Sequence, residues 1–175
     1  MVIELLKTIT EALEVNNISY MISGSIALNT YAVPRMTRDI DIVIDLLKSD
    51  IPRFCKIFEN NYYIDTITVE EEVKRKGMFN VIDFKSGYKI DFIVRKNSEY
   101  RHLEFSRRVR SSVFGFDAWI VSIEDLIISK LIWIQELQSD RQINDIINLL
   151  ESEKVDLDYV KYWCKKLSIN TFNLI

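Results

Sequence analysis

Along the chain, hydrophobic residues recur at two periods, and each switch between them marks a new element. Ile3, Leu6, Ile9 and Leu13 repeat at helical spacing with Glu4, Lys7, Glu11 and Glu14 elsewhere on the wheel, which predicts an amphipathic helix over 3–14. Asn16-Asn17 end it, and 18–22 read as a first strand. A short helix over 26–31 follows Gly24-Ser25, and from Asp39 to Asp45 a strand places Asp39 and Asp41 on one face and Ile40 and Ile42 on the other. Ser49 reads as the N-cap of a helix with Pro52 early in it and Phe54, Cys55, Ile57 and Phe58 on its buried face. Residues 62–64 predict a short extended piece. The run Glu70-Glu71-Glu72, Lys74-Arg75-Lys76 reads as a solvated helix face with Glu-to-Lys pairs, a phosphate contact by its basic residues being the alternative.

Two β-patterned runs, 78–84 and 88–94, flank Lys85-Ser86-Gly87 and predict a hairpin. A helix over 98–108 carries His102, the only histidine, which reads as a surface residue. A last hairpin turns at Gly115 within 113–121. Ser122 then caps a helix extending over 126–137, apolar on nearly every side and interrupted by Lys130. Helices near 140–152 and 156–167 close the chain. These elements predict an α+β (mixed α/β) fold in one compact domain, with a core at 1–121 and a C-terminal helical segment at 122–175 packed on it.

Composition narrows the picture. The 175 residues suffice for a real core, and 48% hydrophobic with 28% charged residues describes a folded globular chain. With a net charge of −3 there is no global basic footprint, so any nucleic-acid contact is local; Arg107, Arg108 and Arg110 are the candidate, against a plain solvated surface. Cys55 and Cys164 sit in apolar helical patterns and read as reduced core residues of a cytosolic protein. The N-terminus lacks signal-peptide character and no stretch is long enough to span a membrane, so a cytoplasmic location is expected.

Asp39 and Asp41 carry the candidate chemistry. At about 4 Å and an effective dielectric of about 20, two carboxylates repel by on the order of 4 kcal/mol. Protonation, pairing with basic residues or a bound cation would relieve that, and oxygen ligands on a rigid strand suit a hard ion such as Mg²⁺. Gly24-Ser25 fits the last option, because a glycine admits close backbone approach and a helix N-terminus offers N–H groups to phosphate. Lys130, an ammonium in an apolar helix, needs an anionic partner, either a phosphate or a structural acid.

Ser23-Gly24-Ser25 followed by Pro34-Arg35-x-Thr37-x-Asp39-Ile40-Asp41 resembles the signature of the polymerase-beta-like nucleotidyltransferase superfamily. It looks most like the small bacterial branch that includes abortive-infection and toxin-antitoxin nucleotidyltransferases. Ser122-x-x-Asp125-Leu126-x-x-x-Lys130-Leu131, then Arg141-x-x-x-Asp145-Ile146, resembles the helical segment after the catalytic sheet, where the lysine faces the nucleotide. The resemblance implies a small mixed β-sheet flanked by helices, and transfer of a nucleoside monophosphate from an NTP such as ATP to an acceptor hydroxyl. It implies Asp39, Asp41 and Asp91 as catalytic metal ligands for one or two Mg²⁺ ions, with Mn²⁺ as a substitute; Asp83, beside the hairpin turn, is the rival third carboxylate. Gly24, Ser25, Arg35, Thr37 and Lys130 are the implied nucleotide-binding residues, Lys130 also offsetting charge on the departing pyrophosphate, with Asp145 a structural partner of Lys130 or Arg141. The implied acceptor is tRNA or protein, with an antitoxin as a further partner; a small-molecule (antibiotic) adenylyltransferase and a non-catalytic nucleotide-binding module are the alternatives. Base preference and oligomeric state stay open.

Overall fold

The structure, a computed structural model, describes residues 2–37, 39–137 and 139–175. Helix α1 (Val2–Val15) leads into β1 (Ser19–Ile22), α2 (Gly24–Tyr31) and β2 (Asp39–Asp45). Then come α3 (Ile51–Phe58), β3 (Tyr62–Tyr63), α4 (Thr66–Arg75) and the hairpin β4 (Met78–Asp83) and β5 (Lys89–Val94). After α5 (Glu99–Ser106) a second hairpin, β6 (Val109–Val113) and β7 (Phe116–Ile120), precedes α6 (Ile123–Ile134), α7 (Asp140–Leu150) and α8 (Leu157–Lys166). The described strands form one mixed sheet in the order β3-β4-β5-β2-β1-β7-β6. Among the described strands only β2–β5 and β1–β7 are parallel.

The sheet separates two apolar layers, and the period-2 pattern decides which side chain enters which. Ile40, Ile42 and Ile44 of β2, with Ile90, Phe92 and Val94 of β5, face α1, α3 and α4. There Phe54, Phe58, Phe79 and Phe92 pack with ring centroids 5.0–5.6 Å apart, a geometry that aromatic quadrupoles favour. The opposite layer joins Met21 and the buried side of α2 to α5, α6, α7 and α8. It is pinned by a fully buried carboxylate: Asp125 accepts from Tyr159 (2.9 Å), Tyr100 (3.2 Å), Arg107 (3.0 Å) and Ser122 (2.8 Å). Ser122 also caps α6 by accepting from the Asp125 N–H at 3.2 Å, as its place before an apolar helix predicts.

Several boundaries differ from expectation. Helix α2 starts at Gly24 rather than residue 26, so the glycine is its first residue. Ser49 lies inside a single 3₁₀ turn, Lys48–Asp50, and Asp50 stands at the N-cap of α3, where its carboxylate takes the Leu47 N–H and the Arg53 guanidinium. Helix α6 ends at Ile134, so Leu137 lies beyond it and is exposed, as is Trp133 in its last turn. The pairing near α4 is Glu72–Arg75, three residues apart, with buried Glu72 also accepting the Met78 N–H. Cys55 and Cys164 are unpaired; burial pushes both thiols up, Cys164 to about 11. Among the described residues no helix is long and apolar enough to cross a membrane.

Candidate active site

Parallel pairing of β2 with β5 puts Asp41 opposite Asp91 and Asp39 opposite Lys89. Side chains two apart on a strand share a face, so these four form one patch on the sheet face away from the Ile40–Ile42 layer. Asp91 is buried; its Oδ2 accepts from Lys89 Nζ at 2.9 Å, and its buried Oδ1 has no hydrogen-bond partner. Burial, reinforced by the charges of Asp91 and Asp39, pushes the Asp41 carboxyl above its usual range, while Lys130 and Lys89 offset part of that rise. The hydrogen bond to Asp91, with the charges of Asp91, Asp39 and Asp41, holds the Lys89 ammonium above its ordinary pKa against desolvation.

Gly24 lies directly on this patch. A Cβ built there would stand 1.9 Å from Asp41 Oδ2, and its φ of +58° belongs to the left-handed region that glycine enters without penalty. The first amides of α2 lack partners within the helix, so they present donors beside Asp41. Thr37 donates to the Asp39 carbonyl at 3.2 Å and accepts from the Asp39 N–H at 3.4 Å, fixing the start of β2.

A second cluster flanks the acids. Arg35 donates through Nε and Nη2 to both oxygens of Asp145 (2.8 and 2.7 Å) and through Nη2 to Ser25 Oγ (2.8 Å). Lys130 Nζ donates to the same Asp145 Oδ2 at 2.8 Å and to Gln142 Oε1 at 3.0 Å. Burial lowers the Lys130 pKa, and Asp145 counteracts it. For Asp145, burial acts upward, but the hydrogen bonds from Arg35 and Lys130 outweigh it and hold the carboxyl below its usual range. Asn29 sets the position of Arg35 by exchanging hydrogen bonds with its N–H and C=O (2.9 and 2.8 Å).

The structure therefore gathers Gly24, Ser25, Arg35, Asp39, Asp41, Asp91 and Lys130 at one end of the sheet, with Thr37 supporting Asp39. Asp83 is elsewhere: it closes the β4–β5 turn by accepting from the Ser86 N–H (2.8 Å) and hydroxyl. Asp145 partners Lys130 and Arg35 rather than Arg141, whose guanidinium donates to the Met36 carbonyl at 3.0 Å. The basic cluster is tied up internally: Arg107 pairs with Glu124 and Asp125, Arg110 with Glu14, and Arg108 stacks against Phe105 and Trp119. His102 is exposed beside Arg95. Lys89, Asn29 and Gln142 were not singled out from the sequence, although Lys89 stands two residues before Asp91 in a strand and so had to share its face.

The donor set fits a hard divalent cation. It offers only oxygens, one of them buried and unpartnered, and the mutual repulsion of the acids is relieved by positive charge. Among the described residues no group of three acidic, histidine or cysteine side chains stands ready to hold a metal ion, and one oxygen of Asp91 is held by Lys89.

Similar solved structures share this architecture. They include the lincosamide antibiotic adenylyltransferase LnuA, lincomycin-bound (12% identity over 83% of this chain and 94% of that chain, TM-score 0.58). The antibiotic-resistance factor ANT(2'')-Ia matches at 13% identity over 94% and 92%, TM-score 0.57. An antigenic nucleotidyltransferase-like protein from Paracoccidioides brasiliensis matches at 15% over 93% and 87%, TM-score 0.56. At such identities the likeness establishes the fold. No curated protein matches the chain. The family model "Nucleotidyltransferase of unknown function (DUF6036)" matches residues 1–173, so the chain belongs to that family and is a nucleotidyltransferase.

Proposed function

We propose that the chain transfers a nucleoside monophosphate from an NTP to an acceptor hydroxyl in a Mg²⁺-dependent reaction, with Mn²⁺ able to substitute. The observation that carries this reading is the in-register pair Asp41 and Asp91, with Asp91 Oδ1 buried and unpartnered beside the Gly24 approach to Asp41. Asp39, Asp41 and Asp91 would hold the metal, which supplies Lewis acidity toward the phosphoryl oxygens and the attacking hydroxyl. The amides of Gly24 and Ser25 bind phosphate at the start of α2. Arg35 and Lys130, pre-aimed by Asp145, offset the negative charge that grows on the departing pyrophosphate. Thr37 keeps the Asp39 backbone in place. In this reading residues 1–121 form the catalytic core and 122–175 contribute the nucleotide-facing lysine.

For the acceptor, the resemblance of the Ser23–Asp41 text to toxin-antitoxin and phage-defence transferases supports tRNA or a protein, with an antitoxin as the chain's binding partner and the cytoplasm as its compartment. A second reading, an antibiotic acceptor, draws on the lincomycin-bound and adenylyl-2''-tobramycin complexes of the structural relatives. The deciding experiment offers α-labelled NTPs and Mg²⁺ with total RNA, cell lysate, or an aminoglycoside and lincosamide panel, beside an Asp41→Asn control. Label on a discrete RNA or protein band, absent with the control, supports the first reading; label on an antibiotic supports the second. Equal labelling by the control overturns the assignment of Asp41.

A further inference from the structure

We propose that Lys89 is a built-in cation that takes the place of a second divalent ion at the three-carboxylate patch, so that the chain binds a single divalent ion there. The inference rests on the metal-dependent reading above and adds to it the number of ions and the residue that sets it.

Lys89 is placed by register, not by chance of a flexible surface. It lies two residues before Asp91 on β5, hence on the same face, and directly opposite Asp39 on the parallel neighbour β2. Its ammonium is 2.9 Å from Asp91 Oδ2, a charge-assisted hydrogen bond of ordinary strong length. The two oxygens of Asp91 are thereby divided: Oδ2 is held by the lysine, and Oδ1 stays buried with no partner. A divalent ion placed at Oδ2 would meet the ammonium already held there. Three carboxylates and one ammonium leave two negative charges on the patch, which one divalent ion cancels. A second would have to displace Lys89 and would leave that side chain beside a doubly charged ion. The lysine supplies the electrostatic role of the second ion, while the side chain, 42% exposed, has room to adjust as the acceptor enters.

The test counts ions with Mn²⁺ alone on the intact chain, using paramagnetic resonance of free and bound Mn²⁺ alongside calorimetric titration. Wild type is expected to bind one Mn²⁺ per chain with the spectrum of an isolated ion. Lys89→Met is expected to bind two, with the spin coupling of ions about 3.5–4 Å apart. Lys89→Arg, which keeps the charge, is expected to stay at one. Melting curves that match wild type establish that both variants fold. Two ions in wild type, or one in Lys89→Met, overturn the inference while leaving the metal site standing. No Mn²⁺ bound by any of the three overturns both the inference and the metal-dependent reading.

Discussion

Gly24 and Asp41 touch: the bare Cα of the glycine faces the carboxylate so closely that a methyl group there would overlap Oδ2 at 1.9 Å. The left-handed φ of Gly24 adds a second constraint. Gly24→Ala should therefore lose about 1–2 kcal/mol from backbone strain alone, and more from moving Asp41. Urea denaturation reads the first cost. A larger proportional loss of nucleotidyl transfer than of folded protein reads the second.

Asp41→Asn removes one of three mutually repelling carboxylates, so without divalent metal the variant should fold and melt at or above the wild-type temperature. Its transfer rate should fall by more than about 10²-fold, the scale of losing one preorganised electrostatic contact. A lower melting temperature together with retained transfer would refute the role given to Asp41.

Asp145 serves two cations at once. Its carboxyl sits below the usual range, so it contributes stability above the unfolded carboxylate pKa of about 3.9, and that contribution disappears as pH falls through the lower folded value. Asp145→Asn should cost about 1–3 kcal/mol at pH 7, with the difference from wild type shrinking below about pH 4. Denaturant midpoints across a pH series measure both.

Lys130→Met leaves Asp145 doubly bonded to Arg35, so its effect on stability should stay below about 1.5 kcal/mol, the usual worth of a hydrogen bond. Transfer should drop by about 10²–10³-fold. Comparing melting temperature with steady-state transfer separates the two effects.

Asp125→Ala would strand donors from Tyr100, Tyr159, Arg107 and Ser122 in the layer behind the site. A loss on the order of 3 kcal/mol is expected, which for a chain of this size lowers the melting temperature by roughly 6–12 °C. Transfer per folded molecule should not change.

The part of the site carried by local periodicity was legible in the sequence. Alternation put Asp39 and Asp41 on one face of a strand, and the Gly-Ser step before a short helix marked where backbone comes close to them. Preferring Asp91 to Asp83 drew on resemblance and on turn chemistry, and the turn chemistry is what occupies Asp83. Partnerships across long sequence distances were not legible. Arg35 meets Asp145 across 110 positions, and no local pattern distinguishes that carboxylate's partner from the nearer Arg141. Alternation alone puts Lys89 on the face of Asp91, but its place opposite Asp39 depends on which strand lies beside β5. The N-cap of α3 is Asp50 rather than Ser49: both have capping side chains, and the 3₁₀ turn selects between them.

The parallel pairing of β2 with β5 also makes the acidic patch depend on a contact distant in sequence. Antiparallel neighbours can zip from a tight turn, but these two strands meet only after α3, β3, α4 and β4 have been made between them. Closing so long a loop carries an entropy cost that local pairings avoid. Until they pair, Asp39 and Asp41 are two acids on an unfinished strand with no Asp91 beside them. The finished register is what completes the acidic patch, and a one-residue slip of β5 would send Asp91 into the Phe54–Phe58 layer and dissolve the patch while leaving the composition of every strand unchanged.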